Sequence, residues 1–172
     1  MSQPQSNERP RRGWVTKNIT VPGNLAQACR EFNSGKYYEC HETLEEIWQE
    51  EEGDVRDLYK GLIQVAAAFV HITRGNDRGT RRLLSTGAGY LEPYRDEGAL
   101  GVNVDEICRA AAAALAVVES AGSLEVPVDP SCVPVYRFDS ATLAAEAIRW
   151  RAWGFDREGN ALTMAIQVPE EG

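Results

Sequence analysis

Two stretches of the chain decide its fold: EFNSGKYYECHETLEEIWQE at residues 31–50 and GLIQVAAAFVHITRGN at residues 61–76. In the first, apolar or aromatic residues recur at helical steps of three and four, namely Tyr37, Cys40, Leu44, Ile47 and Trp48. A second stripe of the same kind consists of Leu58, Leu62, Val65, Phe69 and Ile72. Because the connection between the two patterns is short, they predict two antiparallel helices packed against each other.

Both histidines of the protein lie on this helix pair. His41 falls within the first apolar stripe, and Glu42 and Glu45 follow it within about one turn. On the second helix, Gln64 and His71 share a line with small residues that let a neighbouring helix approach closely. A buried polar group without a partner costs about 1–3 kcal/mol, so these side chains are expected to satisfy one another. The pattern therefore predicts a polar cluster between the two helices.

The same two stretches resemble a known protein family. A Glu-x-His-Glu-x-Leu-Glu-x-x-Trp run occupies residues 39–48. The first stretch matches the family's first motif at Phe32, Asn33, Gly35, Tyr37, Glu39, His41, Glu42, Leu44, Glu45 and Trp48. The second matches at Gly61, Ile63, Ala66, Ala67 and Ala68. Over roughly residues 25 to 90 the chain thus resembles the bacterial and archaeal family called domain of unknown function 309. The resemblance implies a compact all-helical domain and brings no established activity with it.

Composition describes an ordinary soluble domain. The 172 residues are 43% hydrophobic and 26% charged, with a net charge of −8. This charge argues against broad nonspecific binding to nucleic acid or to anionic membranes. No apolar run is long enough to span a bilayer, and the first 20 residues lack the apolar segment of a signal peptide. Four cysteines without metal-type spacing suit a reducing compartment, so a cytoplasmic location is predicted.

The chain divides into three parts. Residues 1–22 are polar and basic with three prolines, which predicts a disordered arm; an arm that folds onto an acidic partner is the alternative. Residues 23–122 are expected to form the helical bundle. Residues 123–172 are expected to form a connector and a C-terminal extension that packs on the bundle.

The predicted fold is mainly α, a compact bundle of about five helices with a short extension. Helices outside the central pair are expected to begin near Asn24, at Asn76 or Asp77, and at 103–105. In the extension, a short helix is expected at 141–148. A glycine- and asparagine-containing turn at 156–160 then predicts a β-hairpin. A helix continued through Trp153 is the competing interpretation.

Three kinds of chemistry suit the histidine and glutamate residues. His41, Glu45 and His71 are candidate ligands for a divalent metal. The same residues with Glu42 are candidates for acid–base catalysis, although the helical period does not point Glu42 and Glu45 in the same direction as His41. A hydrogen-bonded polar core, in which a carboxylate orients His41 and Gln64 completes the pairing, is the structural interpretation.

A second candidate site lies where the fourth helix begins. Arg74, Arg78, Arg81 and Arg82 stand near free backbone N–H groups, and both features favour a phosphate-bearing ligand. Tyr38 and Gln64 complete the predicted ligand-binding residues. Surface pairing with the many carboxylates of the protein is the alternative role for these arginines.

The sequence favours a structural or small-ligand-binding helical protein. Such a protein could act as a monomer or as a homodimer. The alternative is a small hydrolase that uses His41 with Glu42 or Glu45, with or without a divalent metal, on a phosphate-bearing substrate. A partner-binding module that acts through the basic arm is a third option. A divalent metal is the one cofactor considered, and membrane or nucleic-acid partners are not expected.

Overall fold

The computed structural model describes residues 14–22, 24–51, 55–96, 98–121, 132–139, 154–156 and 161–169. In this part of the chain, five α-helices dominate: α1 (Leu25–Asn33), α2 (Tyr37–Glu50), α3 (Arg56–Thr73), α4 (Asp77–Leu91) and α5 (Val104–Ala121). A short 3-10 helix, Glu92–Tyr94, follows α4. The predicted mainly α fold of about five helices is confirmed.

Helices α2 and α3 are antiparallel. At one end of the pair, the ring of Tyr37 at the start of α2 lies 5.5 Å, centroid to centroid, from Phe69 near the end of α3. At the other end, Arg56 and Lys60 from the start of α3 lie over the ring of Trp48, near the end of α2. The distances to the ring centroid are 4.2 Å from Arg56 Cζ and 4.7 Å from Lys60 Nζ. Contacts that join opposite ends of two consecutive helices require this orientation, so the predicted packing is confirmed.

Helices α3 and α4 approach each other at two glycines, Gly61 and Gly87, more closely than residues with a side chain would allow. A Cβ placed on Gly61 of α3 would lie 2.6 Å from Leu91 Cγ and 3.1 Å from the carbonyl oxygen of Gly87 on α4. A Cβ on Gly87 would in turn lie 3.1 Å from Val65 Cγ2. The small residues of α3 therefore face α4, not α2.

Glycine and asparagine set the boundaries between the helices. Gly35 and Gly75 follow α1 and α3 with φ of 78° and 70°, the left-handed conformation that glycine adopts readily. Asn76 then caps α4 by accepting a hydrogen bond of 3.0 Å from the backbone N–H of Gly79. Of the two predicted capping residues, Asn76 is the one used.

Residues 132–139 pack on the helices without regular secondary structure of their own. Tyr136 is buried in the same core as the helices. Its ring stacks on Phe32 of α1 with centroids 3.8 Å apart, and its hydroxyl donates to the carbonyl of Leu62 in α3 at 2.9 Å. This part of the predicted connector is thus an element of the bundle core.

Three strands form an antiparallel sheet in the order β1 (Trp14–Pro22), β3 (Ala161–Pro169), β2 (Gly154–Asp156). Pairing of β2 with β3 has the antiparallel direction of the predicted hairpin. Residues 14–22, which were expected to belong to a disordered arm, pair along their whole length with β3. The β-branched residues Val15, Thr16, Ile19, Thr20 and Val21 were the available signal of a strand. The predicted short helix at 141–148 and the turn at 157–160 lie outside the described residues.

None of the helices in the described ranges combines the length and the apolar character needed to cross a membrane. The four cysteines are free thiols, and Cys29, Cys40 and Cys108 are buried. Burial raises the pKa of Cys29 to about 12 and that of Cys108 to about 11, and it raises the pKa of Cys40 further still. These thiols stay protonated near neutral pH and serve as packing groups.

Candidate metal site on helix α2

His41 lies between two carboxylates on α2. Its Nδ1 is 3.6 Å from Oε1 of Glu42, and its Nε2 is 3.5 Å from Oε1 of Glu45. The two glutamates therefore approach opposite sides of the imidazole ring, as their positions one and four residues after His41 allow. These three residues are called the His41 site below.

The His41 site is neither sealed nor fully open. The side chain of His41 is 25% exposed, while those of Glu42 and Glu45 are 54% and 42% exposed. Cys40 and Leu44, which flank His41 on α2, are buried in the helical core. The amphipathic turn of α2 thus anchors the backbone on one side and leaves the carboxylates in reach of solvent.

The ring of His41 is incompletely satisfied. Nδ1 is buried and has no hydrogen-bond partner among the described residues. Its separation from Glu42, 3.6 Å, exceeds the range of an ordinary N–H···O hydrogen bond. A polar core was expected to complete the pairing of this ring, and the geometry does not provide that bond.

The donor atoms of the His41 site suit one ion. Among the described residues, His41, Glu42 and Glu45 form a group in which one ligand atom from each residue lies within 4.8 Å of the others. Ligand atoms around a divalent transition ion are roughly 3–4 Å apart, because each lies about 2.0–2.2 Å from the metal. Since Nδ1 of His41 faces Glu42 and Nε2 faces Glu45, the side chains have to rotate until both carboxylates approach one nitrogen before all three residues can hold one ion.

Gln64 and His71 do not join this group, contrary to the predicted single cluster. Gln64 Oε1 accepts a hydrogen bond from Oγ1 of Thr86 on α4. Nδ1 of His71 lies 3.1 Å from Nδ2 of Asn76, in the turn between α3 and α4. Both side chains are on the small-residue face of α3, and that face belongs to the α3–α4 contact.

The other predicted binding residues occupy two different places. Tyr38 is exposed, and its ring lies 6.2 Å from that of His41, so it borders the His41 site. Arg74, Arg78 and Arg82 are found around the start of α4, and all three are exposed. In the same turn, the neighbouring Arg81 forms an ion pair with Asp77.

Two asparagines that were not predicted as binding residues form hydrogen bonds to a distant part of the backbone. Asn33 at the end of α1 and Asn103 before α5 both bond the backbone of residues 135–137. Asn33 stands in the first family motif, where a polar residue directly after the buried Phe32 was the available signal. The sequence marked Asn103 as a helix start and not as a residue that binds a distant backbone, because these partners lie more than 30 residues further along the chain.

Comparison with known proteins bears on the helices that carry the His41 site. A family model described as "Domain of unknown function (DUF309)" matches residues 25–83, from the start of α1 into α4. The predicted resemblance is confirmed. The match includes the whole His41 site and ends before the 3-10 helix, α5 and Tyr136.

A curated relative from Bacillus subtilis (strain 168) carries the description "Uncharacterized protein YpuF". It is 42% identical to this chain over 57 residues, which make up 33% of this chain and 33% of the relative. The chain therefore matches about a third of the length of this relative.

Proposed function

We propose that the protein is a noncatalytic helical ligand-binding protein whose ligand is a divalent metal ion held at the His41 site. The observation that carries this proposal is the unpartnered Nδ1 of His41 beside two carboxylates. An imidazole nitrogen and two carboxylate oxygens make a mixed nitrogen and oxygen donor set, which suits zinc, manganese or nickel.

Partial exposure of the glutamates supports reversible binding. An ion held by three side chains keeps one or more coordination positions for water or for a small anionic ligand. Tyr38 stands at the rim of the site, 6.2 Å from His41 between ring centroids, where it would contact such a ligand. The proposal thereby joins the metal and small-ligand interpretations in one site.

A metal-assisted hydrolase is the second candidate, and the same solvent exposure favours it. A bound ion with an open position lowers the pKa of its water and supplies a nucleophile for a phosphate ester. Hydrolysis of p-nitrophenyl phosphate by the metal-loaded protein, lost in His41→Ala, would support this candidate. Metal binding without any such hydrolysis would leave the noncatalytic proposal in place.

The test of metal binding is elemental analysis of full-length protein after incubation with zinc, manganese or nickel and removal of free ion. We expect about one ion per chain, and less than a tenth of that in His41→Ala. Glu42→Gln and Glu45→Gln should each weaken binding, because each removes one charged oxygen donor.

Two variants serve as matched controls for this test. His71→Ala removes the other histidine, and Glu46→Gln removes a carboxylate from the same helix outside the His41 site. Both should bind metal as the parent does. Equal binding by His41→Ala, or no binding of any of the three metals by the parent, would contradict the proposal. A His41 ring that only contacts the two carboxylates would give the second result.

The remaining features of the proposal concern location and partners. Three buried thiols support a reducing compartment such as the cytoplasm. The net charge of −8 supports partners other than nucleic acid. Cell fractionation with an antibody to the protein would test the location directly.

A further inference from the structure

The backbone of residues 135–137 is bound along both edges by asparagine side chains. Asn33 uses its whole carboxamide on Tyr136: Nδ2 donates to the Tyr136 carbonyl at 2.7 Å, and Oδ1 accepts from the Tyr136 N–H at 2.8 Å. Asn103 does the same from the other side, donating to the carbonyl of Val135 at 2.8 Å and accepting from the N–H of Arg137 at 2.8 Å. In an extended chain, consecutive residues direct these groups to opposite edges, so the two asparagines bind it as two neighbouring strands would.

Between the two asparagines, one side chain enters the bundle. Tyr136 is 1% exposed, whereas Val135 is 42% exposed and Arg137 is exposed. The Tyr136 ring lies parallel to that of Phe32 at 3.8 Å, and its hydroxyl bonds the Leu62 carbonyl. Buried tyrosines whose hydroxyl is hydrogen-bonded are enriched among the residues that dominate binding at protein interfaces.

Further contacts fix the direction of this segment. Arg137 forms an ion pair with Glu106 of α5 at 3.2 Å. The N–H of Asp139 donates to the carbonyl of Gly101 at 3.0 Å, and Phe138 pairs with Val102 in an isolated β-bridge. The buried Tyr136 ring, the hydrogen bonds to the backbone and the ion pair of Arg137 together select the sequence Tyr-Arg-Phe.

We propose that the groove between α1, α3 and the start of α5 is a peptide-binding site, and that its exchangeable occupant is the segment 133–139 of a second copy of this chain. The groove and the segment are complementary within one chain, so the identical segment of another copy makes the same contacts. Ten residues, 122–131, separate α5 from Cys132. A connection of this length can reach up to about 35 Å, so it does not by itself tie the segment 133–139 to the groove of its own chain.

The first test uses the full-length chain with its own anchor removed. We expect Tyr136→Ala to bind a fluorescently labelled peptide of residues 133–139 one to one, at least tenfold more tightly than the parent, whose groove is already filled. The same peptide with alanine in place of tyrosine should not bind. Adding Asn33→Ala to the Tyr136→Ala chain should weaken binding at least tenfold, because two backbone bonds are lost.

Matched variants separate exchange from loss of folding. Val135→Ala alters an exposed neighbour and should bind the peptide no better than the parent. If Tyr136→Ala does not fold, Tyr136→Phe replaces it, since it loses only the bond to Leu62 and should still bind more peptide than the parent. Peptide that fails to bind a folded Tyr136 variant, or that binds all variants equally, would overturn the proposal.

The second test addresses the second copy itself. Sedimentation of the parent chain should show a dimer fraction that grows between about 10 μM and 1 mM, because attachment within one chain gives the resident segment an effective concentration in the millimolar range. Added peptide should dissociate that dimer. A parent chain that stays monomeric across the range would overturn the choice of occupant.

Discussion

At the scale of single residues, the geometry of the His41 site predicts a small contribution to folding. The imidazole nitrogens lie 3.5 and 3.6 Å from the two carboxylates, and the glutamates are about half exposed. Exposed pairs of this kind are worth about 0–1 kcal/mol, because water screens them and holding long side chains costs entropy. A site that does not stabilise the fold is free to serve binding.

We expect His41→Ala, Glu42→Gln and Glu45→Gln each to change the free energy of unfolding by less than about 1 kcal/mol. Thr43→Ala is the control on the same helix, because the buried Thr43 hydroxyl donates to Oε1 of Glu31 at 2.6 Å. That variant should lose about 1–2 kcal/mol. Urea unfolding measures all four, and losses of about 1–3 kcal/mol at His41 and at one glutamate would instead support a structural polar core.

At the scale of helices, the contact between α3 and α4 explains why Gln64 and His71 do not join the predicted cluster around His41. The spacing on α2 was sufficient to place His41 near Glu42 and Glu45, since all three share one helix. It could not tell which neighbour takes each buried face of α3, because α3 packs on both sides. Gly87 of α4 complements Gly61 of α3 and was the available signal, yet a glycine within a helix reads first as a weak helix former.

Glycines on these two helices should respond to alanine with opposite signs. Gly61→Ala puts a methyl group 2.6 Å from the Leu91 side chain and 3.1 Å from a backbone carbonyl, so it should cost about 1–3 kcal/mol. Gly89 on α4 has open space where a Cβ would lie, with nothing within 4 Å, and Gly89→Ala should gain about 0.5–1 kcal/mol through helix propensity. Thermal and urea unfolding of both variants test the α3–α4 contact, and equal effects would contradict it.

At the scale of the whole molecule, the bundle is completed by a residue far along the chain. Tyr136 joins α1 and α3 through Phe32 and the Leu62 carbonyl. The sequence predicted that residues after the helices pack back, but it could not identify Tyr136, since prolines interrupt any periodic pattern there. Burial of an irregular segment depends on hydrogen bonds from distant asparagines, which single-sequence patterns do not reveal.

Removing the Tyr136 side chain should therefore cost as much as removing a core aromatic residue. We expect Tyr136→Ala to lose about 3–5 kcal/mol of unfolding free energy. Tyr136→Phe should lose about 0.5–1.5 kcal/mol with the hydroxyl bond. The exposed neighbour gives the control, since Val135→Ala should stay within about 0.5 kcal/mol of the parent. A loss for Val135→Ala as large as that for Tyr136→Ala would contradict the burial of this anchor.

Metal binding at His41 can be measured most directly because the protein has two histidines, one inside the site and one outside it. Nuclear magnetic resonance of the imidazole nitrogens, recorded while zinc is added to the full-length chain, follows His41 and His71 separately, and His71→Ala assigns the two sets of signals. We predict a large shift of one His41 nitrogen that saturates at one zinc ion per chain, with the His71 signals unchanged. Equal shifts of both histidines, or unchanged His41 signals in excess zinc, would contradict metal binding at this site.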